Sequence, residues 1–176
     1  MSAAEETIDA LCTRCGLCCD GTLFTSVVCA TGTEARRVEA AGLSLNFIEG
    51  VGAFTQPCSR LKDTRCTFYA DRPTRCRKFE CELLKRTDRD EVSRNEAVSI
   101  IEQTQLKAEI IRSLLRGLGD EDETVPLAHR CDRVMELPVE KDEDWWETYA
   151  TFLLEVRALQ ARLKHDFYES AATNVP

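Results

Sequence analysis

Cys12-Thr13-Arg14-Cys15-Gly16-Leu17-Cys18-Cys19 places four cysteines in eight residues. Cys12 and Cys15 are separated by two residues, and so are Cys15 and Cys18. That spacing lets the chain turn tightly enough for two sulfurs to face one point, as in structural metal sites built on Cys-x-x-Cys. Cys18 and Cys19 are adjacent, so their side chains diverge. One of them therefore serves a second site or supports the first.

Outward from this stretch, nine of the ten cysteines lie between Cys12 and Cys81, in a chain of 176 residues. The residues around them decide what the sulfurs are for. Met1-Ser2-Ala3-Ala4-Glu5-Glu6 is acidic and lacks the basic and apolar regions of a secretory leader. No apolar run is long enough to span a bilayer. The expectation is a cytoplasmic protein with no membrane association, where thiols stay reduced and structural disulfides are rare. Clustered cysteines in that setting point to metal ligation.

A second segment supplies Cys58, Cys66, Cys76 and Cys81. With Cys12, Cys15, Cys18 and Cys19 this makes eight candidate metal ligands. Eight thiolates match two tetrahedral zinc sites of four cysteines each, two iron–sulfur clusters, or one cluster with the remaining thiols elsewhere. The Cys-x2-Cys-x2-Cys start is similar to a bacterial ferredoxin loop, but the Cys-x3-Cys-Pro ending is missing. Soft thiolates bind both Zn2+ and Fe–S clusters, so the element stays open.

Charge agrees with a sulfur site. The chain carries a net −8, which excludes a general nucleic-acid binder. Residues 57–89 nevertheless hold 10 basic and 5 acidic side chains, a local +5. Four thiolates around Zn2+ or a [4Fe–4S]2+ core leave roughly −2 by formal counting. Arg60, Lys62, Arg65, Arg72, Arg75, Arg77 and Lys78 stand beside the ligands to offset it and to lower thiol pKa values. The same residues also read as a solvated basic face or a surface for an anionic or protein partner.

The fold expected is mostly α, with irregular, metal-stapled cysteine loops and at most a small β element, in a single compact domain. Residues 1–10 read as a short helix or lead-in. Thr22 to Cys29 reads as a short strand, and Thr31 or Thr33 caps a helix that Gly42 ends. Residues 43–56 read as a loop with a strand in it. From Ser93 cysteines almost vanish. Ala97, Ile101, Thr104, Ala108, Ile111 and Leu115 recur at helical spacing, with Gly117 and Gly119 ending that helix. Residues 120–123 read as an acidic, solvated loop. Pro126 opens a short helix closed by Pro138. A last helix starts near Asp142 and carries the stripe Tyr149, Phe152, Val156, Leu159, Leu163 and Phe167, and residues 171–176 fray. Residues 1–92 form the cysteine module and 93–176 a helical region packing on it.

Cys58-x-x-Leu61 and Cys66-Thr67-Phe68-Tyr69-Ala70-Asp71-Arg72-Pro73-Thr74-Arg75-Cys76-Arg77-Lys78-Phe79-Glu80-Cys81, taken with the opening motif, resemble the YkgJ-type CxxCxxCC cysteine-cluster family over residues 10–85. Phe68 and Glu80 stand where Ile and Pro are common in that pattern, and neither removes a ligand. The resemblance implies a zinc- or iron-chelating domain. Some longer relatives carry the name flagellin lysine N-methylase, so it also implies an alternative: an Fe–S-dependent redox protein or enzyme acting on a protein substrate.

The other features read as structural. Cys29 ends the apolar run Val27-Val28-Cys29 and reads as a buried small hydrophobe. Cys131, near His129, reads as a helix position, and His165 as solvent-facing. Tyr69 and Arg72-Pro73 orient the cysteine turn or bond to its sulfurs. Trp145 and Trp146 anchor a helix start. With two histidines in the chain, no Ser/His/Asp set and no phosphate-binding loop, no catalytic constellation is visible.

Overall fold

The computed structural model describes residues 11–137 and 142–168. Its contacts divide into two compact units assembled from alternating segments, Cys15–Phe79 with Gly119–Pro138 in one, and Met1–Arg14, Glu80–Leu118 and Val139–Pro176 in the other. The readings for residues 1–10, Pro138 and 171–176 lie outside the described residues.

In the first unit, the β-branched run gives strand β1 (Ser26–Val28). Thr31 then caps helix α1 (Gly32–Ala40), its hydroxyl accepting from the Glu34 N–H at 3.2 Å, the satisfaction of an orphan donor expected at an N-cap. The stretch 43–56, read as a loop with a strand in it, holds two strands, β2 (Asn46–Ile48) and β3 (Val51–Thr55). The sheet is antiparallel in the order β1-β3-β2, with Val27 opposite Phe54 and Phe47 opposite Gly52. Cys29, Ala35, Val38, Leu43 and Phe54 make the core under it. A two-residue ladder, β4 (Leu61–Lys62) against β5 (Arg65–Cys66), and the short helix α2 (Thr74–Lys78) follow.

Helix α3 is Glu82–Asp88, helix α4 is Arg94–Gly117 and helix α6 is Glu143–Asp166. They belong to the second unit. Ser93 and Asp142 cap α4 and α6 through side-chain oxygens. All six positions read as a stripe on α4 are buried, as are Phe152, Val156, Leu159, Leu163 and Phe167. Lys107 pairs with Glu155 at 2.5 Å and Arg162 donates to Gln103 at 3.1 Å, so α4 and α6 run antiparallel and close their apolar faces on each other. Among the described residues the chain is thus mostly α with two small sheets.

Helix α5 (Leu127–Met135), preceded by Pro126, returns to the first unit. Here the acidic run departs from the solvated loop expected. Asp120 has a side chain only 8% exposed and binds two arginines. Arg130, 2% exposed, donates to Asp120 Oδ1 and to its carbonyl, each at 2.8 Å. Arg133 donates to Oδ2 at 2.9 Å. A buried guanidinium requires a partner, and Asp120 is drawn inward to supply it.

Candidate metal centre

Gly16 starts the geometry of the site. It adopts φ +66, and a Cβ there would sit 3.3 Å from the Thr64 Cα, so this left-handed turn is a glycine position. Its carbonyl accepts from the N–H groups of Cys19 (2.8 Å) and Asp20 (3.1 Å). Leu17 is fully buried between them in sequence and anchors the turn. Cys58 N–H then donates to the Cys19 carbonyl at 2.7 Å, binding the two cysteine segments backbone to backbone.

The second segment continues the frame. Leu61 N–H donates to the Cys58 carbonyl at 2.9 Å, which closes the Cys58-x-x-Leu61 turn, and Leu61 is in register with Cys66 across the β4–β5 ladder. Cys76 lies in α2. Cys58, Cys76 and Phe68 pack against the core group that contains Cys29. Cys19, Cys58, Cys66 and Cys76 are therefore neighbours within one unit.

Electrostatics reports the same grouping. Burial, then the thiols of Cys58, Cys76 and Cys66 and the carboxylate of Asp20, push the Cys19 thiol up to about 12. Burial followed by Cys58 and Cys66 pushes Cys76 up to about 11. Burial also raises Cys58, with Cys66 adding to it. Arg72 acts downward on Cys76 and Arg60 on Cys58, the direction expected of the basic residues, but burial and mutual repulsion outweigh them.

What holds α2 is a residue that sequence reasoning missed. Glu34, 5% exposed, accepts from Ala30 N–H at 2.8 Å through Oε2, and from Thr74 N–H at 2.9 Å and the Thr74 hydroxyl through Oε1. It links the start of α1 to the start of α2, two residues before Cys76. The available signal was Thr31-x-x-Glu34, a capping-box pattern, though nothing local indicates that its carboxylate also reaches Thr74. Arg72 places its guanidinium carbon 3.4 Å from the Tyr69 ring centroid and donates to the Tyr69 carbonyl at 3.1 Å. Tyr69 and Arg72-Pro73 thus brace the turn that leads into α2.

The remaining cysteines are distributed as follows. Cys12 is exposed, while Cys15, Cys18 and Cys81 are partly buried. Cys15 and Cys18 belong to the unit that holds the four neighbours, and Cys12 and Cys81 to the other. Cys81 stands at the start of α3, where burial raises its thiol while the first-turn N–H groups of Leu84 and Leu83 act downward. Cys29 is in the core as expected. Cys131 is buried and His129 exposed, so they do not face a common point. Among the described residues, no three His, Cys, Asp or Glu side chains already stand in a metal-holding arrangement. No described helix is long and apolar enough to cross a membrane.

Cysteine segments joined by a backbone hydrogen bond, with arginines acting on two of their thiols, make this a domain rich in soft sulfur donors. Such a donor set fits Zn2+ or iron and is unsuited to hard cations such as Mg2+ or Ca2+. The chain belongs to the CxxCxxCC family, whose model, described as "Putative zinc- or iron-chelating domain", matches residues 11–104. No curated protein and no solved structure matches the chain.

Proposed function

We propose that this protein binds a soft metal, Zn2+ or an Fe–S cluster, through thiolates drawn from Cys12, Cys15, Cys18, Cys19, Cys58, Cys66, Cys76 and Cys81. The observation that carries the reading is the Cys19–Cys58 backbone bond, which joins two cysteine motifs about forty residues apart. When bound, the metal supplies a cross-link between those motifs. The chain's own residues do the rest: Gly16 and the β4–β5 ladder set the backbones, Glu34 sets α2, and Arg60 and Arg72 face the developing thiolate charge. The family's description assigns no reaction, and the residues assembled here are ligands and braces.

The test is anaerobic purification followed by metal analysis and a visible spectrum. Stoichiometric zinc in a colourless protein, or iron with acid-labile sulfide in a brown one, supports metal binding and fixes the element. Protein that folds and takes up neither metal overturns the proposal.

A further inference from the structure

We propose that the exposed cations Lys62, Arg65, Arg75, Arg77 and Lys78 form a docking surface for a short acidic segment of another protein. All five lie in one unit, and the proposal does not depend on the metal reading above.

Residues 58–79 hold seven basic and two acidic side chains, a net +5 in a chain whose total is −8, so the rest of the chain carries −13. Two of the seven are accounted for. Arg60 acts on the Cys58 thiol, while Arg72 lies on the Tyr69 ring, donates to the Tyr69 carbonyl and acts on Cys76. The other five are exposed, and among the described residues none of them makes an ion pair or a side-chain hydrogen bond. Asp63 and Asp71, the acidic residues of the stretch, pair with none of them. Elsewhere the chain supplies its own carboxylates: Arg86 meets Asp166, Arg89 meets Glu82, Lys107 meets Glu155 and Arg116 meets Glu109.

Local structure does not call for these charges. Lys62 and Arg65 are Cα partners across the β4–β5 ladder, where like charges work mildly against the pairing. Arg77 and Lys78 suit the C-terminal end of α2, but no helix end accounts for Lys62 and Arg65. The frame beneath them is set. Thr67 donates twice to the Arg60 carbonyl, at 2.7 and 3.0 Å, and Phe68 and Cys76 pack against the same apolar core. Ladder and helix are thus held in place without a partner, which spares binding an ordering cost.

The chemistry selects carboxylates on a short chain. Guanidinium groups hold carboxylates through paired N–H donors. Helix α2 has five residues, roughly 7 Å of length, and the ladder only two. A longer polyanion would run off this face toward the −13 of the remaining chain. Single-stranded nucleic acid also needs aromatic faces for its bases. In this segment Tyr69 carries Arg72 on its ring, and Phe79 meets Phe24 edge-on at 4.8 Å.

The test uses the full-length chain as purified and a fluorescein-labelled octaglutamate peptide, read by anisotropy. Binding is expected, weakening at least about fivefold as NaCl rises from about 50 to about 300 mM. K62E/R65E and R75E/K78E should each weaken it at least about tenfold. R157E/K164E makes the same change of net charge at two exposed positions of α6 and should stay within about twofold of wild type. Circular dichroism and metal content compare each variant with wild type, and K62Q/R65Q and R75Q/K78Q replace any that differs. The proposal is overturned if wild type shows no binding at about 200 µM protein, if either variant in the segment binds as tightly as wild type, or if R157E/K164E loses as much as they do. Tighter binding of an oligothymidylate of the same length, or of phosphatidylserine vesicles, overturns the choice of an acidic protein segment.

Discussion

Replacing Glu34 by glutamine should destabilise the metal-free protein and weaken its hold on metal together. The Glu34 carboxylate is buried and receives three donors: Ala30 N–H, Thr74 N–H and the Thr74 hydroxyl. A carboxamide has one acceptor atom, so either Ala30 N–H or Thr74 N–H is left facing an NH2 group. A buried unsatisfied donor costs about 1–3 kcal/mol, and bonds that remain lose the extra strength of a charged acceptor. The expected loss is roughly 2–4 kcal/mol, a shift of several degrees in Tm at about 2–4 °C per kcal/mol for a chain of this size. Denaturant unfolding of the metal-free, reduced chain measures it. Zn2+ competition then reads the effect on Cys76, two residues along α2. A loss under about 0.5 kcal/mol, the range of ordinary surface substitutions, with unchanged Zn2+ affinity would refute the role given to Glu34.

The same residue has a pH signature. The Thr74 hydroxyl bond, followed by the backbone bonds from Thr74 and Ala30, holds the Glu34 carboxyl below its ordinary value, against the opposing effect of burial. A lowered folded pKa gives stabilisation that is present above the unfolded value, about 4.3 for Glu, and lost as pH falls through the folded one. The stability difference between wild type and E34Q should therefore be full at neutral pH and shrink below about pH 4.3.

Asp120→Asn leaves the buried Arg130 without its counter-charge and should cost about 3–5 kcal/mol in denaturant unfolding; D120N/R130M should recover much of the loss, and equal stability of D120N and wild type would refute the ion-pair reading. Gly16→Ala forces a non-glycine residue into the left-handed region, about 1–2 kcal/mol, and brings a Cβ to 3.3 Å from Thr64 Cα. It should lower both Tm and Zn2+ affinity, and a neutral effect would show that the turn does not set the Cys19 backbone. Cys19, Cys58 and Cys76 have raised thiol pKa values, so each should release a proton when metal binds at pH 7. Apparent Zn2+ affinity should then climb about tenfold per pH unit for each proton, and calorimetry in buffers of different ionisation enthalpy that counts fewer than about three protons would contradict it. In the metal-free chain the sign reverses for stability: a raised thiol pKa gives full stability below the unfolded value of about 8.5 and a loss as pH rises through the folded one.

Legibility in the sequence followed the range of the interaction. The stripe on α4 was readable at every position from Ala97 to Leu115, because one helix face meets one partner and the period alone records it. Helix starts are local too: Thr31 was one of the two caps read for α1, and the last helix was read to start near Asp142, which caps it. Strands of two to five residues carry little alternation, so of β2 and β3 only one strand was read, within residues 43–56, and β4 and β5 emerge only from their pairing. Asp120 looked solvated because its neighbours in sequence are acidic, whereas its burial is decided by Arg130, ten residues on. The backbone bond between Cys19 and Cys58 and the Leu61–Cys66 register bring two cysteine segments together, and neither is encoded by cysteine spacing. Residues 119–137 belong to the same unit as Cys15 to Cys76, a long-range association that local periodicity does not record.

The basic segment gains a sharper meaning from the raised thiols. Burial, and then the neighbouring thiols, push Cys19 up to about 12 and Cys76 up to about 11, so a metal bound through them would displace thiol protons. Each thiolate so formed would add negative charge near Arg60, which acts downward on Cys58, and Arg72, which acts downward on Cys76. Lys62, Arg65, Arg75, Arg77 and Lys78 remain exposed in that same stretch, where water screens them and like-charge repulsion stays small. A cation buried beside the thiols would carry a desolvation cost, whereas exposed arginines and lysines beside partly buried thiols would offset thiolate charge at little cost, which would tie the local charge of residues 57–89 to the metal binding proposed above.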